Sequence, residues 1–231
     1  MIFKISVLLY CIVIMRLADH IIDKIQKSGI DTCFMVTGGG SLFLNDALFK
    51  NKKIKKIFCH HEQSCSIAAE AYFRKSLKPA LVQVTTGPGG INALNGVFGA
   101  FVDSIPMFVL SGQVKIENLS FNKRSNLRQF GDQEANIENI TQTITKYSKT
   151  ITTNNLNKIN EILNKALINL NLDRKGPVWI DVPIDLQGMK INTKISHKLQ
   201  KKTKKQTQSL KIKKDINFLI KKLQLAKRPI L

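Results

Sequence analysis

The segment Ile57-Phe58-Cys59-His60-His61-Glu62-Gln63-Ser64-Cys65-Ser66-Ile67-Ala68-Ala69-Glu70-Ala71-Tyr72 reads as a short apolar strand that turns into an alanine-rich helix. Glu62 stands at the turn between them. A carboxylate prefers water, and a strand-to-helix junction inside a domain shields it from water, so packing alone does not account for an acid there. His60-His61-Glu62 does not read as a metal site. Adjacent strand residues point to opposite faces, and no H-E-x-x-H spacing is present. His61 reads instead as a pocket-side or interface residue.

The same cadence recurs on both sides of this segment. Upstream, Leu17, Ile21, Ile22 and Ile25 recur at helical spacing up to Ser28-Gly29. A strand over Phe34-Met35-Val36 then runs into Thr37-Gly38-Gly39-Gly40, and Ser41 is placed to cap a helix carrying Leu42, Leu44, Ala47 and Leu48. Downstream, Ala80-Leu81-Val82-Gln83-Val84 leads into Thr85-Thr86-Gly87-Pro88-Gly89-Gly90 and an apolar helix to about Val102. Pro106 to Leu110 is a further strand, closed by Ser111-Gly112-Gln113, and Val178-Trp179-Ile180-Asp181-Val182 is the last strong one. Uninterrupted apolar strands alternating with helices predict an α/β fold, a parallel sheet flanked by helices on both faces. In such sheets ligands gather at the carboxyl ends of the strands. The turns at 37–41, 60–63, 85–90 and 111–113 are therefore expected to converge on one edge. Trp179 is read as core.

The chain has 231 residues and a net charge of +20. From Lys190 onward lie 14 of its 36 Lys and Arg but only one of its 16 acids, so the basicity belongs mainly to the tail. The earlier region has no clustered Arg and aromatic face suited to bases and phosphates, so no nucleic-acid partner is expected. Residues 196–208 are polar and Lys-rich without an apolar period. Ile212, Ile216, Leu219, Ile220 and Leu223 then resume helical spacing. The expected organisation is an apolar N-terminal extension at 1–14, a globular domain at 15–190, a basic linker at 191–211 and the start of a truncated second domain at 212–231. The run from Ile5 to Ile14 is shorter than the roughly 20 apolar residues a bilayer span needs, and no small-x-small cleavage site precedes Arg16. It reads as an extension ahead of a start at Met15, with a signal or a packed strand as the other readings. Cys11, Cys33, Cys59 and Cys65 form no CxxC pair and no zinc spacing. Reduced thiols, a cytoplasmic location and no membrane partner are expected.

Six segments in register resemble the thiamine-diphosphate (ThDP) enzymes of the acetolactate synthase-like family, in their N-terminal pyrimidine-binding (PYR) domain. They are Val36-Thr37-Gly38-Gly39, His60-His61-Glu62-Gln63 with Ala68 to Tyr72, Thr86-Gly87-Pro88-Gly89-Gly90-Ile91-Asn92, Asp103-Ser104-Ile105-Pro106, Ser111-Gly112-Gln113-Val114 and Gly176 to Pro183. The resemblance runs from about Met15 to Gln187. It implies that Glu62 is the catalytic glutamate, hydrogen-bonded to the aminopyrimidine ring so that the ring's amino nitrogen can deprotonate the thiazolium. It also implies that Gly39, Glu62, Pro88, Asn92 and Gln113 line the cofactor pocket. Simple helix-entry turns are the plainer reading of the glycine runs, which match neither G-x-G-x-x-G nor a Walker loop. An exposed acid at a helix N-terminus is the plainer reading of Glu62.

The family holds the cofactor diphosphate and its Mg²⁺ on a separate domain, through a Gly-Asp-Gly…Asn-Asn motif that does not occur here; Gly131-Asp132 is followed by Gln133. The resemblance thus implies the pyrimidine-side half of a 2-keto acid decarboxylase or carboligase, inactive without the other half. The expected partner is a homodimer mate, or a full-length or split ThDP-enzyme chain. A non-catalytic dimerisation or regulatory module is the alternative. Val36-Thr37 replaces the family's Tyr-Pro, and Gln129 to Glu134 only loosely echoes Phe-Gln-Glu-x-Asp. These departures leave the keto acid and the acyl acceptor open. Some relatives carry FAD, and no residue here speaks to it.

Overall fold

A computed structural model describes residues 12–120, 127–194 and 210–228. The chain divides into two units, 1–195 and 196–231. The first begins with strand β1 (Ile12–Arg16) and helix α1 (Leu17–Lys27), which stops at Ser28 before Gly29 turns with φ +100°. Strand β2 (Thr32–Met35) leads through a 3₁₀ turn at Gly39–Ser41 into α2 (Leu42–Lys50). Ser41 occupies the position before α2 but does not cap it. Its hydroxyl donates back to the Gly38 carbonyl at 3.1 Å and lies 3.4 Å from Asn45 Oδ1.

Then follow β3 (Lys55–Phe58), α3 (Glu62–Ser76), β4 (Ala80–Val84), α4 (Pro88–Val102) and β5 (Met107–Gln113). The short helix α5 (Ile137–Thr141), β6 (Tyr147–Thr150) and α6 (Ile159–Asn171) precede β7 (Val178–Pro183), α7 (Ile184–Gln187) and β8 (Lys190–Lys194). Six strands form one sheet in the order β3-β2-β4-β5-β7-β6, every pair parallel. β1 and β8 form a separate antiparallel ribbon in which Met15 pairs with Ile191. The expected α/β fold is the observed one. The expected strands shift by up to three residues at their ends, β6 adds an edge strand to the sheet, and α6 joins α1 and α2 on one face.

Strand alternation builds two cores. Leu81, Phe108, Leu110, Val178 and Ile180 face α1, α2 and α6, against Leu17, Ile21, Leu48 and Leu163. Val82, Val84, Met107, Val109 and Trp179 face α3, α4 and α5, against Cys65, Ala69, Ala93, Val97 and Ile137. Small residues let α3 and α4 approach closely. A Cβ at Gly96 would stand 2.7 Å from the Ile67 amide nitrogen. Cys33, Cys59 and Cys65 are free thiols, and burial pushes those of Cys33 and Cys65 well above the ordinary thiol range.

One polar contact ties α1 to α6. His20, buried, lies with Nε2 2.9 Å from Asn160 Oδ1, and burial holds its pKa below the ordinary 6.5. A depressed folded pKa means that the unfolded chain binds the proton more readily. The contribution of His20 is thus fully present above about pH 6.5 and is lost as pH falls below it. Urea midpoints near neutrality and in mild acid are expected to fall more for the native chain than for His20→Gln. Equal falls would remove His20 as a source of acid sensitivity.

The second unit is described by α8 (Leu210–Leu225), on which Ile216, Leu219, Ile220 and Leu223 are exposed along one stripe. Among the described residues no helix is long and apolar enough to cross a membrane. The expected extension at 1–14 lies outside the described residues up to position 11, as do 195–209 of the expected linker and the last three residues.

Candidate active site

A parallel sheet puts every strand's carboxyl end on the same edge, and the four turns picked out by sequence all lie there, after β2, β3, β4 and in β5. Two of them touch. Gly112 in β5 passes directly against the Gly38–Ser41 turn, and a Cβ on it would overlap the Gly40 carbonyl and stand 2.7 Å from the Ser41 nitrogen. Gly87 opens the turn before α4 with φ +48°, and a Cβ on it would overlap the Gln133 carbonyl. These close approaches bring the loops after β2, β4 and β5 into one patch.

Glu62 enters this patch from β3. His61 sets the start of α3, its Nδ1 accepting from the Gln63 amide at 3.2 Å. The next residue is Glu62, in the first helical turn, where the helix dipole favours an anion. It is 9% exposed, which sets aside the reading of a solvent-facing helix-end acid. Asn92, in α4, donates from Nδ2 to Glu62 Oε2 at 3.0 Å. The other oxygen, Oε1, faces Gly89, where a Cβ would stand 3.3 Å from it and 2.8 Å from Thr85 Cγ2. Among the described residues no salt bridge reaches Glu62. One carboxylate oxygen is therefore held and the other is presented at a glycine.

The remaining expected residues divide by depth. Gly39, Pro88 and Asn92 lie exposed at the edge, within the turns that surround Glu62. Gln113 does not reach the surface. It is fully buried below the edge, donating to Ala135 O at 2.8 Å and to Asp181 Oδ2 at 3.1 Å, while its Oε1 accepts from the Val114 amide. It lies beneath the edge, where its side chain is bonded to Ala135, Asp181 and Val114. Thr86 was not among the expected residues. Its buried Oγ1 has no hydrogen-bond partner among the described residues and lies under Gly40, where a Cβ would overlap it. The signal available in sequence was a hydroxyl directly ahead of Gly-Pro-Gly. Among the described residues no group of three or more His, Cys, Asp or Glu is gathered as a metal would require.

The donor set fits the pyrimidine end of ThDP. A flat heterocycle with ring nitrogens and an amino group needs an acid, an amide and a wall without side chains. Glu62, Asn92 and Gly89 supply these, while the orphaned Thr86 hydroxyl is buried beneath Gly40.

Comparison with known proteins identifies the family. Residues 15–140 match the family described as thiamine pyrophosphate enzyme, N-terminal TPP binding domain. The chain is 33% identical over 170 residues to acetolactate synthase 2, chloroplastic, of Brassica napus, covering 74% of this chain and 25% of that protein. It is 32% identical over 219 residues to the acetolactate synthase large subunit of Lactococcus lactis, covering 91% and 35%. To the mitochondrial acetolactate synthase catalytic subunit of Saccharomyces cerevisiae it is 29% identical over 216 residues, covering 90% and 30%. The chain thus spans between a quarter and about a third of the length of these relatives. With the fold and the family match in agreement, this chain belongs to the thiamine pyrophosphate enzymes, through their N-terminal TPP binding domain.

Proposed function

We propose that this chain is the pyrimidine-side half of an acetolactate synthase-like, ThDP-dependent enzyme acting on a small 2-keto acid, with Glu62 as the residue that activates the cofactor. The observation that carries this reading is the buried Glu62 carboxylate, with one oxygen fixed by Asn92 and the other turned to Gly89. When bound, the cofactor supplies a nucleophilic ring carbon able to add to a keto acid carbonyl and hold the resulting negative charge. The chain's own part is to move a proton at the far side of that group. Asn92 keeps Oε2 an acceptor, so Oε1 is the atom that exchanges a proton with a ring nitrogen. Gly89 lets the ring approach that oxygen. Burial keeps water from competing for the carboxylate.

The diphosphate and Mg²⁺ are assigned outside these 231 residues, in which the Gly-Asp-Gly…Asn-Asn motif does not occur. A partner has a seat on the outer side of α3 and α4, where Ile67, Ile91, Phe98 and Val102 are all 45% exposed or more. That face serves equally in the second reading, a non-catalytic module that pairs with a full-length relative. Titration separates the two. The chain by itself is expected to bind ThDP with Mg²⁺ weakly, with a Kd on the order of millimolar, since most of the charge contacts lie elsewhere. Adding the diphosphate-binding half of an acetolactate synthase is expected to tighten binding at least roughly tenfold and to give ThDP-dependent consumption of pyruvate. Micromolar binding by the chain alone contradicts the division between halves. Unchanged affinity and no turnover in the mixture favour the non-catalytic module.

A further inference from the structure

The chain's single tryptophan belongs to a buried network that the reading above leaves unused. Asp181, near the end of β7, is fully buried. Ser111 Oγ donates to its Oδ1 at 2.6 Å, Gln113 Nε2 to its Oδ2 at 3.1 Å, and Thr150 Oγ1 to Oδ2 at 3.4 Å. The Trp179 indole N–H donates to Ser111 Oγ at 2.8 Å. Ser111 takes one proton from Trp179, so its own proton is directed at Asp181.

Few charged groups surround this carboxyl. β5 and α4 carry none, and β7 carries only Asp181 itself. From α5 comes Glu138, whose oxygens accept from Lys149 Nζ of β6 at 2.7 Å and from the Thr150 amide at 2.8 Å. Glu134 is taken by the amides of Ser120 and Phe130. Glu161 and Lys165 of α6 and Asp185 of α7 belong to helices on the other face of the sheet, and Tyr147 lies in the neighbouring strand. Among the described residues no cation pairs with Asp181, and burial pushes its pKa up to about 7 against the pull of its three donors.

Both arms of the network end on the first turn of α4. Trp179 and Ile137 together form the wall behind Gly90, where a Cβ would stand 3.5 Å from Trp179 Cζ2 and 2.9 Å from Ile137 Cδ1. Gln113, while bonded to Asp181, also holds the Ala135 carbonyl, which accepts from the Ile137 amide at 2.9 Å. Gly90 is two residues ahead of Asn92, the residue that fixes Glu62.

We propose that Asp181 is a positioning residue, seating the first turn of α4 through Ser111–Trp179 on one side and Gln113–Ala135–Ile137 on the other, and so setting how Asn92 meets Glu62. The importance of that pair rests on the function proposed above; the coupling itself does not. When Asp181 takes a proton, its new O–H must donate. At Oδ2 it turns toward Thr150 Oγ1, and at Oδ1 it reverses the bond from Ser111. The first weakens Oδ2 as the acceptor for Gln113 and so the arm through Ala135 and Ile137; the second changes the bonding of the indole's partner and so the arm through Trp179.

Because Trp179 is the only tryptophan, its fluorescence reports this network in the whole chain. Between roughly pH 6 and roughly pH 8 the emission is expected to change in one step, and the Asn92 side-chain amide resonance to shift with the same midpoint. Asp181→Asn is expected to abolish both changes. Should that variant fail to fold, Thr150→Val removes one donor at similar volume and is expected to move both midpoints together to higher pH. A flat emission profile overturns the proposal. So does a tryptophan step that leaves Asn92 unmoved, because the network then has only a structural part. Neither readout uses thiamine, so failure here leaves the role of Glu62 standing, and a failure of thiamine to touch Glu62 leaves this coupling standing.

Discussion

Glu62→Gln is expected to leave the fold unchanged and to lower turnover by about 100-fold or more in an assembly of this chain with a diphosphate-binding half. The fold survives because glutamine has nearly the same volume and Asn92 can still donate to its carbonyl oxygen. Activity does not survive, because an amide cannot exchange a proton at the position where Oε1 faces Gly89. Two measurements check this together: a urea midpoint within about 0.5 kcal/mol of the native chain, and the initial rate of pyruvate consumption with saturating ThDP and Mg²⁺. A variant that keeps its rate takes Glu62 out of the mechanism, whereas one that unfolds makes Glu62 a structural residue.

The second large effect is on stability. Gly112→Ala is expected to destabilise the chain by about 3 kcal/mol or more, beyond the usual cost of an added methyl group. Its Cβ meets backbone, the Gly40 carbonyl and the Ser41 amide, and backbone cannot rotate away as a side chain can. Relief requires the Gly38–Ser41 turn to part from β5, which also uncovers Thr86. Denaturant unfolding monitored by Trp179 reads the loss, and a change below about 1 kcal/mol shows that the two turns are not packed as described.

Much of this arrangement is legible in sequence because the physics behind it is local. β4, β5 and β7 are mostly apolar and buried throughout since helices cover both faces of the sheet, and the turns after β2 and β4 are rich in glycine because loops approach one another there. Glu62 and Asn92 are separately visible by their place after a strand and after Gly-Pro-Gly, but the bond between them joins two helices and has no local sign. β6, Tyr-Ser-Lys-Thr, lies at the sheet edge with partly exposed side chains, so its composition does not announce a strand. α6 does carry a signal, with Ile159, Ile162, Leu163, Ala166 and Leu170 at helical spacing. The ribbon of β1 and β8 joins segments from opposite ends of the first unit, a pairing that no local pattern reveals. Gln113 shows the same limit. Its residue type suggests a pocket wall, yet strand parity puts it with Ser111 on the face of Asp181, and only the register of β5 against β7 makes that visible.

The central claim is that the Glu62–Asn92 edge receives an aminopyrimidine. Titrating the ¹⁵N-labelled chain with thiamine, which carries that ring without the diphosphate, tests it most directly. The account predicts shifts confined to the Asn92 side-chain amide and the backbone of Glu62, Thr86 and Gly89, saturating at concentrations on the order of millimolar and absent in Glu62→Gln. Shifts that centre elsewhere on the sheet, or none at those residues while thiamine is in large excess, would contradict it.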